Sequence, residues 1–200
     1  MENESNRYGY FHITISPSDS RKLLHSNDER AFIVTQLQDL LSPRLTLNNE
    51  PMHHQLSSCV DLLAFSITEQ SIQCIMFSID ITISVTFGHL IADRLAEYQS
   101  GSKSAAFSHT STSVSIRRFL TEREALASTV MIHSQHRDWE YDRYSSIGFY
   151  LHDRRGDWMR IWRMSRLYEN SPRLYRKLLA IYRQQDTQPL PISSARPLVA

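Results

Sequence analysis

Cys59-Val-Asp-Leu-Leu-Ala-Phe-Ser-Ile67 and Ile72-Gln-Cys-Ile-Met-Phe-Ser-Ile-Asp-Ile-Thr-Ile-Ser-Val-Thr86, parted by the polar Thr68-Glu-Gln-Ser71, form the most apolar part of the chain. Both runs are rich in β-branched and aromatic residues, and the residues between them are polar, so the pair predicts two strands and a short connection. The second run is long for one strand, and a bend near Phe77-Ser78 would divide it in two; the pattern alone leaves both open. Asp61, Glu69, Gln73 and Asp80 interrupt the apolar character, so a membrane span is not expected.

Upstream, Tyr8, Tyr10, His12 and Thr14 alternate with Gly9, Phe11, Ile13 and Ile15, the period of a strand. A turn cluster around Pro17 follows. Asn27-Asp-Glu-Arg30 supplies a helix start capped by Asn or Asp, and Phe32, Ile33, Leu37, Leu40 and Leu41 make its stripe, ended by Pro43. Residues 44–57 read as a loop. Downstream of the apolar runs, Gly88 to Gln99 is predicted helical, residues 100–104 a linker, and Ser111 to Phe119 a strand. Thr121-Glu-Arg-Glu124 is a capping-box signature opening a helix to about His133. Trp139 to Gln184 reads as helical and aromatic-rich, and residues 186–200, with three prolines, as a disordered tail. The order β-α-β-β-α-β followed by helices predicts an α+β fold of the ferredoxin-like kind, an antiparallel sheet with a C-terminal helical extension. Residues 8–136 would form the α+β domain and residues 137–185 the extension.

The net charge of +1 conceals an asymmetry: residues 1–100 sum to −6 and residues 101–200 to +7. The excess is arginine, since only Lys103 and Lys177 are lysines in the second half. A guanidinium fork matches phosphate and base edges, which favours nucleic acid as partner; a solvated, ion-paired helical surface is the alternative. Cys59 and Cys74 lack ligand-spaced companions and read as free thiols. The N-terminus, acidic and without an apolar run behind it, is not a secretory signal, and a cytoplasmic location is expected.

Local patterns fall in a telling order. Tyr10-Phe-His-Ile-Thr14 precedes Arg21-Lys-Leu-Leu24 and Asp28-Glu-Arg-Ala-Phe32; Cys74-Ile-Met-Phe-Ser-Ile-Asp-Ile81 lies within the second apolar run. Gly101 to Phe107 and Ser113 to Glu124, with Arg117 and Arg118, come next. Met131-Ile-His-Ser-Gln-His136 is followed by Tyr141-Asp-Arg-Tyr-Ser-Ser-Ile-Gly-Phe-Tyr-Leu151 and Asp157-Trp-Met159. Over roughly residues 8–183, with residues 42–70 poorly matched, this series resembles the single-tyrosine HUH transposases, the REP-associated branch in particular. The resemblance implies attack by a tyrosine on a DNA phosphodiester, assisted by a divalent metal on a histidine pair. Carried over, the two histidine positions fall on Ile79 and Ile81, the nucleophile on Met131, the following asparagine on Gln135 and the proline on His136. Isoleucine cannot ligate a metal, and a thioether cannot attack phosphorus. Shifting the motif by one would offer Asp80 with Ser78 or Thr82, a poor replacement for imidazole. The family's catalysis, its metal and any other cofactor are therefore expected to be absent.

Other residues offer little for a rebuilt site. His133, His136 and Asp138, and Met52-His53-His54, read as exposed or capping groups without a third ligand at a recognised spacing. Ser145-Ser146 reads as a helix cap, and Tyr141 and Tyr144 as nucleophiles only if a metal pair existed. Arg117, Arg118, Arg137, Arg154, Arg155, Arg160, Arg163 and Arg166 are the expected nucleic-acid contacts. Were residues 157–168 one helix, Trp158, Ile161, Trp162 and Leu167 would be its buried stripe and Arg160, Arg163 and Arg166 an exposed row. The expected function is that of a catalytically inactive, transposase-derived DNA-binding protein of the kind recruited to transcription regulation. Hairpin, single-stranded and duplex DNA stay open as partners, and so does a homodimer. Alternatives are a protein-interaction module and an active DNA transposase or nuclease using non-standard residues.

Overall fold

The computed structural model describes residues 8–42, 56, 58–101, 111–135 and 142–187. Its elements are β1 (Gly9–Pro17), α1 (Asn27–Leu41), β2 (Val60–Ile67), β3 (Ile72–Ser78), α2 (Ile81–Gly101), β4 (Thr112–Phe119) and α3 (Glu122–Ser134). After them come two single helical turns, α4 (Ile147–Tyr150) and α5 (Trp162–Ser165), a 3-10 turn (Arg166–Tyr168) and α6 (Pro172–Thr187). The fold is α+β, and the sheet is antiparallel throughout with strand order β2-β3-β1-β4. The strands joined through α1, β1 and β2, thus flank β3. Those joined through α2, β3 and β4, flank β1.

Local chemistry explains most boundaries. The N-cap of α1 is Ser26, one residue before the Asn-Asp pair expected: its hydroxyl accepts from the Glu29 amide at 3.2 Å, and Glu29 Oε2 accepts from the Ser26 amide at 3.1 Å. The Thr121 hydroxyl accepts from the Glu124 amide at 3.2 Å to open α3.

The second apolar run is one strand and the start of a helix, not two strands. β3 stops at Ser78, whose hydroxyl donates to the Asp80 carbonyl at 2.8 Å, while Asp80 Oδ1 accepts from the Thr82 amide at 2.7 Å. This turn caps α2, which begins seven residues before the Gly88 expected. Residues 81–86 alternate like a strand, yet Ser84, Phe87, Gly88, Ile91, Ala92 and Leu95 form a buried helical stripe. Burial of that stripe outweighs the modest helix penalty of β-branched residues. Gly88 permits the contact: a Cβ there would lie 2.8 Å from Val114 Cγ1 and 3.1 Å from Ile13 Cγ2.

The expectation that Trp139 to Gln184 is helical also needs correction over residues 142–168. Residues 142–168 run largely as turns along the outer edge of β2. The Ile67 amide donates to the Tyr144 carbonyl at 2.9 Å, the Ser146 amide to the Phe65 carbonyl at 2.9 Å, and the Arg160 amide to the Leu62 carbonyl at 2.9 Å. A bulge sets Leu63 out of register between Leu62 and Ala64, and its carbonyl accepts from the Tyr150 hydroxyl at 2.8 Å. The sequence here serves an edge strand's unpaired groups, a tertiary demand that periodicity does not carry. Among the described residues from 142 onward α6 is the one long helix, and its extension to Thr187 takes in the first residues assigned to the tail.

A candidate nucleic-acid interface

Strand geometry alone assembles a polar surface on one face of the sheet. Successive side chains point to opposite faces, so Phe11, Ile13 and Ile15 go to the core under α2, and Tyr10, His12, Thr14 and Ser16 go to the other side. Pairing brings Phe119, Arg117, Ser115 and Ser113 of β4 opposite these, and Gln73 of β3 opposite Thr14. A chain of hydrogen bonds crosses the strands. His12 Nε2 meets Gln73 Oε1 at 3.2 Å and Thr14 Oγ1 at 3.4 Å; Gln73 Nε2 donates to Ser71 Oγ at 3.2 Å and to Gln135 Oε1 at 3.0 Å. The ring stacks on Phe119, with centroids 6.2 Å apart, and Arg117 covers that phenyl at 5.6 Å. Burial holds the His12 pKa below its ordinary value, opposed by the Gln73 bond and reinforced by the charge of Arg117. The imidazole is thus kept neutral beside an exposed guanidinium.

Gln135 sits at the end of α3 and Met131 one turn earlier, half-buried against the core. Ile79 and Ile81 lie away from both: Ile79 follows the end of β3 at 50% exposure, and Ile81 opens α2 at 42%. Neither is a strand position, since β3 ends at Ser78 and Ile81 opens a helix, whereas the resemblance implies a strand here. The β3 residue that meets Gln135 is Gln73. A transposase-type metal does not fit this group, which offers carboxamides, hydroxyls and one neutral imidazole already bonded to one another. Among the described residues no three His, Cys, Asp or Glu side chains are grouped to hold a metal.

The arginines divide sharply by partner. Arg163 pairs with Asp61 of β2 at 2.6 Å and lies over the rings of Phe77, at 4.0 Å, and Trp162, at 4.8 Å. Arg160 donates to the Asp157 carbonyl at 2.6 Å and stands 4.0 Å from Asp61. Arg166 pairs with Glu122, the carboxylate that also accepts from the Tyr10 hydroxyl at 2.6 Å. Arg154 braces the loop, its stem against Gly148 and its guanidinium on the carbonyls of Arg143, at 3.1 Å, and Ser145, at 3.3 Å. Arg118, on the other face, donates to the Tyr8 carbonyl at 3.1 Å. The expected exposed row of Arg160, Arg163 and Arg166 is therefore a set of clamps onto β2 and α3, on a chain that is not one helix. Arg117 and Arg155 are exposed and have no carboxylate partner among the described residues. Arg137, like Tyr141, His136, Asp138, His53 and His54, lies outside the described residues.

Of the stripe expected with that row, Trp158 is buried, whereas Trp162 is 54% and Leu167 36% exposed. His133 is buried, not an exposed helix-end residue: Nδ1 lies 2.6 Å from the Tyr175 hydroxyl and Nε2 2.7 Å from Ser146 Oγ. Ser146 makes no side-chain cap; its hydroxyl instead accepts from the Phe65 amide at 2.8 Å. Tyr144 is buried, with its hydroxyl on the Asn27 carbonyl at 3.2 Å, which withholds it from a substrate.

No family model, no curated protein and no solved structure matches this chain.

Proposed function

We propose that this protein binds DNA without cleaving it, through the sheet face that carries His12, Gln73, Gln135 and Arg117. The observation that carries the reading is that face itself: neutral donors and acceptors and an exposed arginine, without the pair of metal ligands that the transposase reaction needs. Such groups can meet bases and phosphate, and a metal that would polarise a scissile phosphate has no ligand pair among them. We read the two interleaved β-α-β crossovers as ferredoxin-like and the protein as derived from a single-tyrosine HUH transposase. The bond from Gln73 of β3 to Gln135 at the end of α3 supports that descent, a strand side chain meeting the helix that would carry the nucleophile. A transcription regulator working in the cytoplasm is the role that fits a retained grip and a lost reaction.

Gel-shift titrations with hairpin, single-stranded and duplex DNA over a salt series test the reading. Binding should weaken linearly in log salt, and Arg117→Ala should lower affinity and reduce the slope by about one. Incubation with magnesium or manganese should yield no cleaved strand and no covalent adduct. Salt-insensitive or absent binding to all three DNAs would overturn the proposal, and a covalent adduct would overturn its inactive half.

A further inference from the structure

A cleft of about 370 Å³, separate from the sheet face, opens between α4 and α5 and is lined by Phe149, His152, Arg154, Arg155, Gly156, Met159 and Ile161. Its floor is apolar and its rim cationic, and none of the lining residues is acidic. From these features we infer a binding site for one nucleotide unit, the base on the floor and the phosphate on the rim.

The floor is built to keep its shape. Phe149 packs edge-on against Trp158, centroids 5.6 Å apart, and Trp158 stacks in turn on Phe65 of β2 at 5.7 Å. Met159 bridges to Leu62 of the same strand. At Gly156 a Cβ would come within 2.8 Å of the Trp158 indole nitrogen, so glycine lets the loop close over the ring. The rim is fixed as well. His152 holds a left-handed backbone at φ 65°, a conformation uncommon for a non-glycine residue. The amides of Asp153 and Arg154 both donate to the Gly148 carbonyl, at 2.8 and 3.1 Å, which locks the turn that presents His152. Arg154 spends its guanidinium on backbone carbonyls and contributes charge from a fixed position, whereas Arg155 is exposed and can swing onto an anion.

A floor that includes the Phe149 ring, beside the cationic side chains of Arg154 and Arg155, suits a planar base carrying a phosphate better than it suits an inorganic anion or an aliphatic acid. The cavity lies at the small end of the range for ligand pockets, enough for one unit and not for a stacked pair. The unit can come from an unstacked position in a strand, which would join this cleft to the DNA-binding role proposed above, or from a free mononucleotide.

Calorimetric titration of the full chain with deoxyadenosine monophosphate, and anisotropy of a labelled oligothymidine of about ten residues, test the inference. Arg155→Ala and His152→Gly, both at exposed positions, should each weaken at least one of these ligands by about tenfold, while the exposed Arg173→Ala on α6 should leave both unchanged. Loss confined to the oligonucleotide assigns the cleft to a strand, and loss confined to the monophosphate assigns it to the free nucleotide. If neither ligand responds to Arg155→Ala or His152→Gly, the inference is wrong. Salt-dependent binding of the wild type to DNA would then still stand, so the two readings fail separately.

Discussion

His12 shows how little a residue type says before its neighbours are known. Its alternation with Phe11 and Ile13 places it on the face opposite the core, and that much is legible in eight residues of sequence. Its partner Gln73 lies 61 positions away, and no spacing rule connects them. The bond exists because strand pairing sets Thr14 opposite Gln73. The titration that follows has a definite sign. The folded pKa lies below the ordinary 6.5, so the unfolded chain takes up the proton first. This contribution to stability is intact above about pH 6.5 and declines as the pH falls through the folded value. Urea midpoints should therefore drop on acidification, and His12→Gln should flatten that part of the profile; an unchanged slope would contradict it. His133 illustrates the opposite case. Read as an exposed helix-end residue, it is buried between two hydroxyls. His133→Ala leaves a cavity and strands Tyr175 and Ser146, for a loss of about 3 kcal/mol in a urea titration.

Among the elements, the strands and capped helices of the first 135 residues could be anticipated to within a few residues, since alternation and Ser/Thr caps are local signals. The start of α2 could not. Residues 81–86 have the composition of a strand and the burial of a helix, and the choice is made by β1 and β4 beneath them. Gly88 is where that choice is enforced. By propensity Gly88→Ala should stabilise an exposed helix by about 1 kcal/mol. Here the new methyl meets Val114 and Ile13, and overpacking of this sort costs about 1–3 kcal/mol. Thermal unfolding of Gly88→Ala should show a lower midpoint than wild type; a higher one would mean that α2 can lift from the sheet without loss.

Taken as a whole, the molecule spends much of its arginine excess on itself. The charge count leaves open a basic surface for nucleic acid and an ion-paired one; Asp61 and Glu122 take up Arg163, Arg160 and Arg166, and these contacts fasten the C-terminal segment to β2 and α3. Composition could not reveal this, because acid and base lie far apart in sequence, 102 residues for Asp61 and Arg163 and 44 for Glu122 and Arg166. Asp61→Asn would release two guanidinium groups at the cost of about 1 kcal/mol of stability, since the pair is partly exposed. The variant should bind DNA more tightly at low salt with a steeper salt dependence. Equal or weaker binding would show that these arginines act only as clamps.

The same fastening has a temporal side. All four strands are complete once Phe119 has been made, but the segment that closes the outer edge of β2 spans residues 144–160. At about 5–20 residues per second, a ribosome needs on the order of seconds to supply it. During that interval a strand whose side chains are almost all destined for the interior presents an unpaired backbone edge to every neighbouring nascent chain. A pause in translation between codons 120 and 160 should therefore raise aggregation far more than a pause of equal length after codon 170.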